Sequence, residues 1–180
     1  MENTVPNEKM NQTIEILGPD QWKEYQEIRL KSLKTDPTAF AISYQQFLEQ
    51  GEEKIRKNLS DPNRKNYIAK IGDKIVALAE YSLETPENVK HLAKIHAVFV
   101  DPDFRGKGIG YSLLKRMIDD LHNNPVTVRV VLSVNNENET AKNLYKKLGF
   151  VQFGVGEKEM KISGRYYDLA QMELIFRDKI

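Results

Sequence analysis

The sequence predicts a mixed α/β domain in which helices pack on a central sheet. Three observations carry that reading. Apolar residues recur at helical spacing in some stretches and alternate at strand spacing in others. The stretches follow one another as β-α-α-β-β-β-α-β-α-β-β, the order of a layered α/β domain. The chain has 180 residues, the length of one domain with room for a real core. Composition agrees, with 40% apolar and 29% charged residues, ordinary for a soluble globular protein.

Residues 1–12 are polar and without periodicity, and are expected to form a disordered tail ahead of a single domain over 13–180. IEIL (14–17) is a short strand. Gly18-Pro19-Asp20 turns the chain, with Asp20 able to cap a helix. That helix carries Trp22, Tyr25, Ile28, Arg29 and Leu33 at helical spacing and ends at Asp36-Pro37. A second helix is expected over 44–59, with Phe47, Leu48 and Ile55 as its apolar face and Gly51 as its weak point. NYIAKI, a Gly72-Asp73 turn and KIVALAEYSLE form a hairpin. HLAKIHAVFV (91–100) is a long strand rich in branched and aromatic residues. After a glycine loop, a helix over 108–123 shows one stripe of Ile109, Leu113, Leu114, Met117, Ile118 and Leu121. TVRVVLSV (127–134) is a strand, 139–148 a short helix stopped by Gly149, and 151–161 and 166–176 are two last strands around Ser163-Gly164.

Charge and missing features narrow the function. There are 27 Lys and Arg against 26 Asp and Glu, a net charge of +1, which gives no push toward nucleic acid. No apolar stretch approaches the ~20 residues of a membrane helix. The start MENTVPNEKMNQT does not resemble a signal peptide. No cysteine is present, which excludes disulfides, thiolate metal sites and a cysteine nucleophile. His91, His96 and His122 show no ligand spacing, so no metal is expected. These signals together point to a cytoplasmic enzyme or binding module.

The most informative stretch is VFVDPDFRGKGIG (98–110). Glycines between a strand end and a helix start let backbone approach a ligand. The first helical N–H groups point outward, unpaired, at the positive end of the helix dipole. That is an anion site suited to phosphate, and Arg105 and Lys107 add positive charge. The alternative is a tight turn with glycines for packing alone. A P-loop does not fit, because no Lys-Ser or Lys-Thr pair follows the second glycine. The dinucleotide fingerprint G-x-G-x-x-G is also one residue longer than the G-x-G-x-G found here.

Arg-x-x-Gly-x-Gly after a strand ending in V-x-P resembles the pyrophosphate signature of the GCN5-related N-acetyltransferase (GNAT) superfamily. The resemblance extends to Asn138-Glu139-Thr140-Ala141 with Leu144-Tyr145-Lys146-Lys147-Leu148-Gly149-Phe150, and to Asp36-Pro37-Thr38-Ala39-Phe40 behind Ile28-Arg29-Leu30. It implies a twisted mixed sheet of six to seven strands, with two parallel strands splayed in a V and about four flanking helices. Those strands would be 91–100 and 127–134, with acetyl-CoA as co-substrate between them. Backbone groups of Phe99 and Val100 would pair with the pantetheine arm. The N–H groups of Arg105, Gly106, Lys107, Gly108, Ile109 and Gly110 would hold the pyrophosphate. Asn138 would bond the cofactor near the pantetheine, and Lys142 or Lys146 is within sequence reach of its phosphates.

The implied activity is transfer of the acetyl group to a primary amine, by direct attack through a tetrahedral intermediate. Tyr145 stands where the family places its general acid, and a phenol keeps its proton at neutral pH. The other reading of Tyr145 is a packed ring. Glu80 and His96 are the candidate bases. By strand alternation His96 is expected to share a face with Val98 and Val100. A small-molecule amine is the expected acceptor, in a pocket shaped by residues 29–48 and 154–167, with Tyr44, Phe47, Phe153, Tyr166 and Tyr167 as candidate lining. No nucleic acid or membrane partner is expected, and a homodimer is left open. Two alternatives come from other classes: a noncatalytic acyl-CoA-binding sensor, and a regulator that binds ATP at the glycine loop.

Overall fold

The computed structural model describes residues 11–180. The tail expected over 1–12 therefore lies outside the described residues except for Asn11 and Gln12, and Gln12 already opens the first strand. The elements are β1 (Gln12–Ile16), α1 (Trp22–Thr35), α2 (Tyr44–Leu48), α3 (Gly51–Ser60), β2 (Arg64–Ile71), β3 (Lys74–Leu83), β4 (Leu92–Val100), α4 (Ile109–Asn123), β5 (Arg129–Asn135), α5 (Glu139–Lys147), β6 (Val151–Ile162) and β7 (Arg165–Ile175). Seven strands form one sheet in the order β1-β2-β3-β4-β5-β7-β6. Every neighbouring pair is antiparallel except β4–β5.

The expected second helix is broken in two. Gly51 takes φ +69°, a left-handed conformation that interrupts a right-handed helix and that glycine adopts without a Cβ clash. α2 has its own start signal, because Ser43 accepts from the Gln46 N–H while the Gln46 side chain returns to the Ser43 N–H. Among the described residues five α-helices result instead of four. Asp20 does not cap α1. It lies in a short 3-10 turn (Pro19–Gln21) that Gly18 and the Gln21 side chain close.

The helices divide between the two faces of the sheet. α4 and α5 cover one face, where all six residues of the α4 stripe are buried with Tyr67, Tyr81, Val130 and Tyr145. Burial stabilises by about 1.5–3 kcal/mol per large apolar side chain, so six such residues hold α4 firmly and fix its first turn in space. α1, α2 and α3 cover the other face through Tyr25, Ile28, Leu33, Phe47 and Ile55, packed on Ile68, Leu78 and Phe99.

β4 changes phase in its middle. Leu78 pairs with Phe99 and Glu80 with His96, so Ala79 opposes two residues, Ala97 and Val98. Ala97 takes φ +51°, as the extra residue of a β-bulge can. Before the bulge Ala93 and Ile95 face α4; after it Val98 and Val100 do, while Phe99 faces α1. His96 therefore lies on the opposite face from Val98 and Val100. Simple alternation fails there because the bulge inserts one residue.

Candidate active site

The two parallel strands share only a short ladder. Leu92, Ala93 and Lys94 pair with Arg129, Val130 and Val131. Beyond these residues β4 stays with β3, and β5 stays with β7 as far as Asn135. The backbone edges between them are left open. A narrow cleft of about 70 Å³ follows the split, lined among others by Val98, Ser133, Asn138 and Tyr145. It shares Ala39, His96, Ala97 and Ser133 with a wider cavity of about 530 Å³ beneath α1.

The glycine loop lies at the far end of β4. Gly106 and Gly108 take φ +75° and +79°, which L side chains adopt only with strain. A Cβ on either would point into open space. Gly110 differs: its Cβ would come 3.2 Å from Val100 Cγ2 and 3.4 Å from Leu144 Cδ2, so it lets α4 pack closely on β4 and α5. Of the N–H groups expected to hold pyrophosphate, that of Arg105 is taken by the Pro102 carbonyl at 3.2 Å, whereas those of residues 106–111 make no hydrogen bond to any described residue. Ile109 is buried by its side chain, so its N–H is the part left to a ligand. These open donors at a helix N-terminus fit the pyrophosphate of acetyl-CoA.

The two cations beside the loop are already engaged. Arg105 Nε donates to the Val100 carbonyl at 2.9 Å and its Nη2 pairs with Asp36. Lys107 donates to the Asp103 carbonyl at 3.1 Å and lies over the Phe104 ring. Asp101, 1% exposed, pairs with Lys31 and lies 3.6 Å from Lys74. The end of α1 and the turn after it are thus tied to the glycine loop by two ion pairs. Phe99 packs its side chain against the α1 face. The Asp101 N–H bonds the Val76 carbonyl of β3, so by alternation the Val100 peptide groups face the split and those of Phe99 face β3.

Tyr145 lies on α5, which starts where Asn138 Oδ1 accepts from the Ala141 N–H at 3.0 Å and stops at Gly149, φ +93°. That cap uses the Asn138 side-chain oxygen, and Asn138 lines the narrow cleft. Tyr145 is 6% exposed and packs edge-on against Phe150 at 5.9 Å. Its hydroxyl makes no hydrogen bond to any described residue, and burial pushes the phenol above its ordinary value. Lys142 is buried and paired with Glu139 at 2.6 Å, so it is not free for a phosphate in this arrangement.

Glu80 and His96 come together as cross-strand neighbours and both line the wider cavity. His96 Nε2 lies 2.9 Å from Ser82 Oγ. Burial lowers the His96 pKa, and the positive charges of Arg64, Lys94 and Arg29 act in the same direction, against an opposing effect of Glu80. The imidazole is therefore neutral at pH 7. Glu80 is buried between Arg29 Nε at 4.0 Å and Arg64 Nη2 at 3.6 Å, with the Tyr25 hydroxyl donating at 3.5 Å.

The acceptor end uses the expected segments 29–48 and 154–167, through Arg29, residues 38–42 and Met160, but not the expected aromatic side chains. None of Tyr44, Phe47, Phe153, Tyr166 and Tyr167 lines the wider cavity. Phe47 is core, whereas Tyr44, Phe153 and Tyr166 are exposed on the surface. The wall is made instead by Arg29, residues 38–42, Arg64, Glu80, His96 and Met160, among others. Arg29 left one signal in the sequence, as an arginine inside the apolar stripe of α1. Arg64 left none, because it reaches the cavity only when β2 lies beside β3. Among the described residues no cluster of His, Asp or Glu is arranged to hold a metal ion.

Residues 22–150 match the model of the Acetyltransferase (GNAT) family. A spermidine N(1)-acetyltransferase of Vibrio cholerae is 28% identical over 143 residues, 76% of this chain and 77% of that protein. A [ribosomal protein bS18]-alanine N-acetyltransferase of Salmonella typhimurium is 38% identical over 79 residues, 44% of this chain and 48% of that protein. The matched stretch spans only 38% and 45% of two other curated relatives. The structure of YncA from Salmonella typhimurium with its cofactor acetyl-CoA superposes with a TM-score of 0.73 at 19% identity, covering 92% of this chain and 94% of that one.

Proposed function

The chain belongs to the Acetyltransferase (GNAT) family, and from that premise we propose that it moves the acetyl group of acetyl-CoA to the primary amine of a small molecule. The observation that carries this reading is the split between β4 and β5. It opens backbone edges beside Tyr145 and Asn138, with the unpaired N–H groups of residues 106–111 past the end of β4 and a cavity of about 530 Å³ adjoining the cleft.

The co-substrate supplies a thioester with a good leaving group; the chain's own residues supply the rest. The N–H groups of residues 106–111 and the positive end of α4 hold the pyrophosphate. Arg105 sets the loop's position through Val100 and Asp36 rather than by touching phosphate. The Val100 peptide, Asn138 and Ser133 line the path to the cavity. Tyr145 keeps its proton because burial disfavours phenolate, and it gives that proton to the departing sulfur. His96 takes the proton lost by the amine. In the tautomer whose Nε2–H donates to Ser82 Oγ, the Nδ1 lone pair is free for this. Glu80 orients the charges around it. Overall one proton leaves the amine nitrogen and one reaches the sulfur.

Free-thiol release from acetyl-CoA with a panel of small amines tests the reading. Turnover with at least one of them is the expected result. A protein that binds CoA but releases no thiol with any amine would instead be an acyl-CoA sensor.

A further inference from the structure

Among the described residues, one cation in the wider cavity has no counter-charge of its own. Arg29, Arg64 and Lys94 line it, and Glu80 is the one acid among its lining residues. Lys94 is matched by Glu84 at 2.6 Å. Glu80 must then serve both arginines, at 4.0 and 3.6 Å. Those distances exceed the roughly 2.7–2.9 Å of a direct charged hydrogen bond, so neither guanidinium is saturated. Arg29 is 6% exposed. Its Nη1 donates to Ser32 Oγ at 3.1 Å and its Cζ lies 4.6 Å from the centre of the Phe40 ring. The Nε atoms of both Arg29 and Arg64 are buried without a hydrogen-bond partner. A buried guanidinium with unmet donors is costly unless an anion completes it.

We propose that Arg29 and Arg64 form a carboxylate-binding subsite, and that the acceptor is therefore an amino acid, a small molecule with a carboxylate near its reacting amine. The inference rests on the acetyltransferase reading for the amine half and on the arginine pair for the acid half. His96 and Glu80 are neighbours across β3 and β4, so the subsite lies beside the proposed base. One uncompensated positive charge matches one carboxylate better than a phosphate monoester, which carries about −1.5 to −2 at neutral pH. A polyamine would bring further positive charge into a wall that already has an excess. Planar, forked guanidinium also suits carboxylate geometry.

The test compares α- and ω-amino acids with their carboxamides and with the decarboxylated amines, alongside phosphoethanolamine and spermidine, reading thiol release. An amino acid should exceed its carboxamide in kcat/KM by about 10- to 100-fold, the range for charge-assisted hydrogen bonds. In Arg64→Gln that preference should shrink toward unity, chiefly through KM, while acetyl-CoA affinity by calorimetry stays unchanged. Arg29→Lys should act in the same direction, and Arg64→Gln keeps the test valid if the buried site rejects lysine. Equal or better use of the carboxamide, of phosphoethanolamine or of spermidine overturns the subsite. If no amine releases thiol, the acetyltransferase reading has failed, and calorimetry on the CoA complex decides the subsite separately. Amino acid binding that the carboxamide lacks and Arg64→Gln loses supports it; indifference to the carboxylate overturns it.

Discussion

The two ends of the β4–β5 split are built by different means. At the proposed cofactor end the groups on offer are backbone N–H donors on a loop and one helix start, all within residues 100–111. At the acceptor end they are side chains brought from α1, the segment 38–42, β2, β3, β4 and β6. The first end needs only glycines at a fixed spacing and a well-anchored helix. The second needs a finished sheet, because Arg64, Glu80 and His96 meet only through strand register. A backbone site fixes a ligand that is common to many proteins. A side-chain site can diverge without disturbing it, and the acceptors printed in the names of the relatives differ accordingly, spermidine in one and a ribosomal protein alanine in the other.

The largest effect should come where the ends meet. Tyr145→Phe keeps the ring and its Phe150 contact and removes only the hydroxyl. It should lower kcat by about 10²–10⁴, with KM for acetyl-CoA nearly unchanged because the lost interaction grows in the transition state. Burial raises the phenol pKa, so the wild-type enzyme should keep its activity through pH 10 rather than lose it there. Parental kcat in the variant would leave the tyrosine as packing alone and make bound water the proton donor.

His96→Gln should lower kcat/KM by about 10²-fold, the low end for a lost general base. Its sign with pH is fixed by the lowered pKa. A depressed histidine stays neutral, and hence active, below the ordinary value near 6.5. The wild-type acid limb should therefore fall below pH 6.5, and that inflection should vanish in the variant. A limb above 6.5, or one that persists in His96→Gln, would take the role of base away from His96.

Legibility followed the same division. RGKGIG, the α4 stripe and N-E-T-A with L-Y-K-K-L-G-F are local patterns, and the loop, the helix α4 and the short α5 stopped at Gly149 that they predict all formed. The parallel pair and the mixed sheet were what the family resemblance implied, while element order alone pointed only to helices packed on a central sheet. The break at Gly51 was visible as a weak point, but its left-handed φ is a tertiary outcome. The bulge at Ala97 carries no signature in the chain, since neither glycine nor proline marks it, and it reversed the face expected for His96. The aromatic residues expected in the acceptor pocket failed for a related reason: a tyrosine or phenylalanine on a long hairpin reads alike whether it faces a cavity or solvent.

The cofactor end can be sharpened by treating its glycines as unequal. Gly108→Ala places a Cβ in open space but at φ +79°. It should cost about 1–2 kcal/mol in stability and weaken CoA binding about tenfold, because relaxing that φ swings the N–H groups away. Loss of stability with unchanged CoA affinity by calorimetry would mean that the loop is only a turn.

Gly110→Ala should give the smallest effect, for the opposite reason. Gly110 lies inside α4 and has no positive φ, so alanine suits its backbone, and removing a helical glycine gains up to about 1 kcal/mol. Against that gain, the new Cβ would meet Val100 Cγ2 at 3.2 Å and Leu144 Cδ2 at 3.4 Å. Both are methyl groups at side-chain ends that can shift by a few tenths of an ångström, and overpacking by one methyl costs on the order of 1 kcal/mol. The two terms nearly cancel, so the melting temperature should stay within a few degrees, since about 1 kcal/mol is worth roughly 2–4 °C at this size. The N–H direction does not change, so CoA affinity should stay within about threefold. Gly110→Ala weakening CoA as much as Gly108→Ala would show that the spacing of α4 against β4 and α5, rather than the left-handed turn, sets the anion site. That result would make the cofactor end as dependent on tertiary packing as the acceptor end.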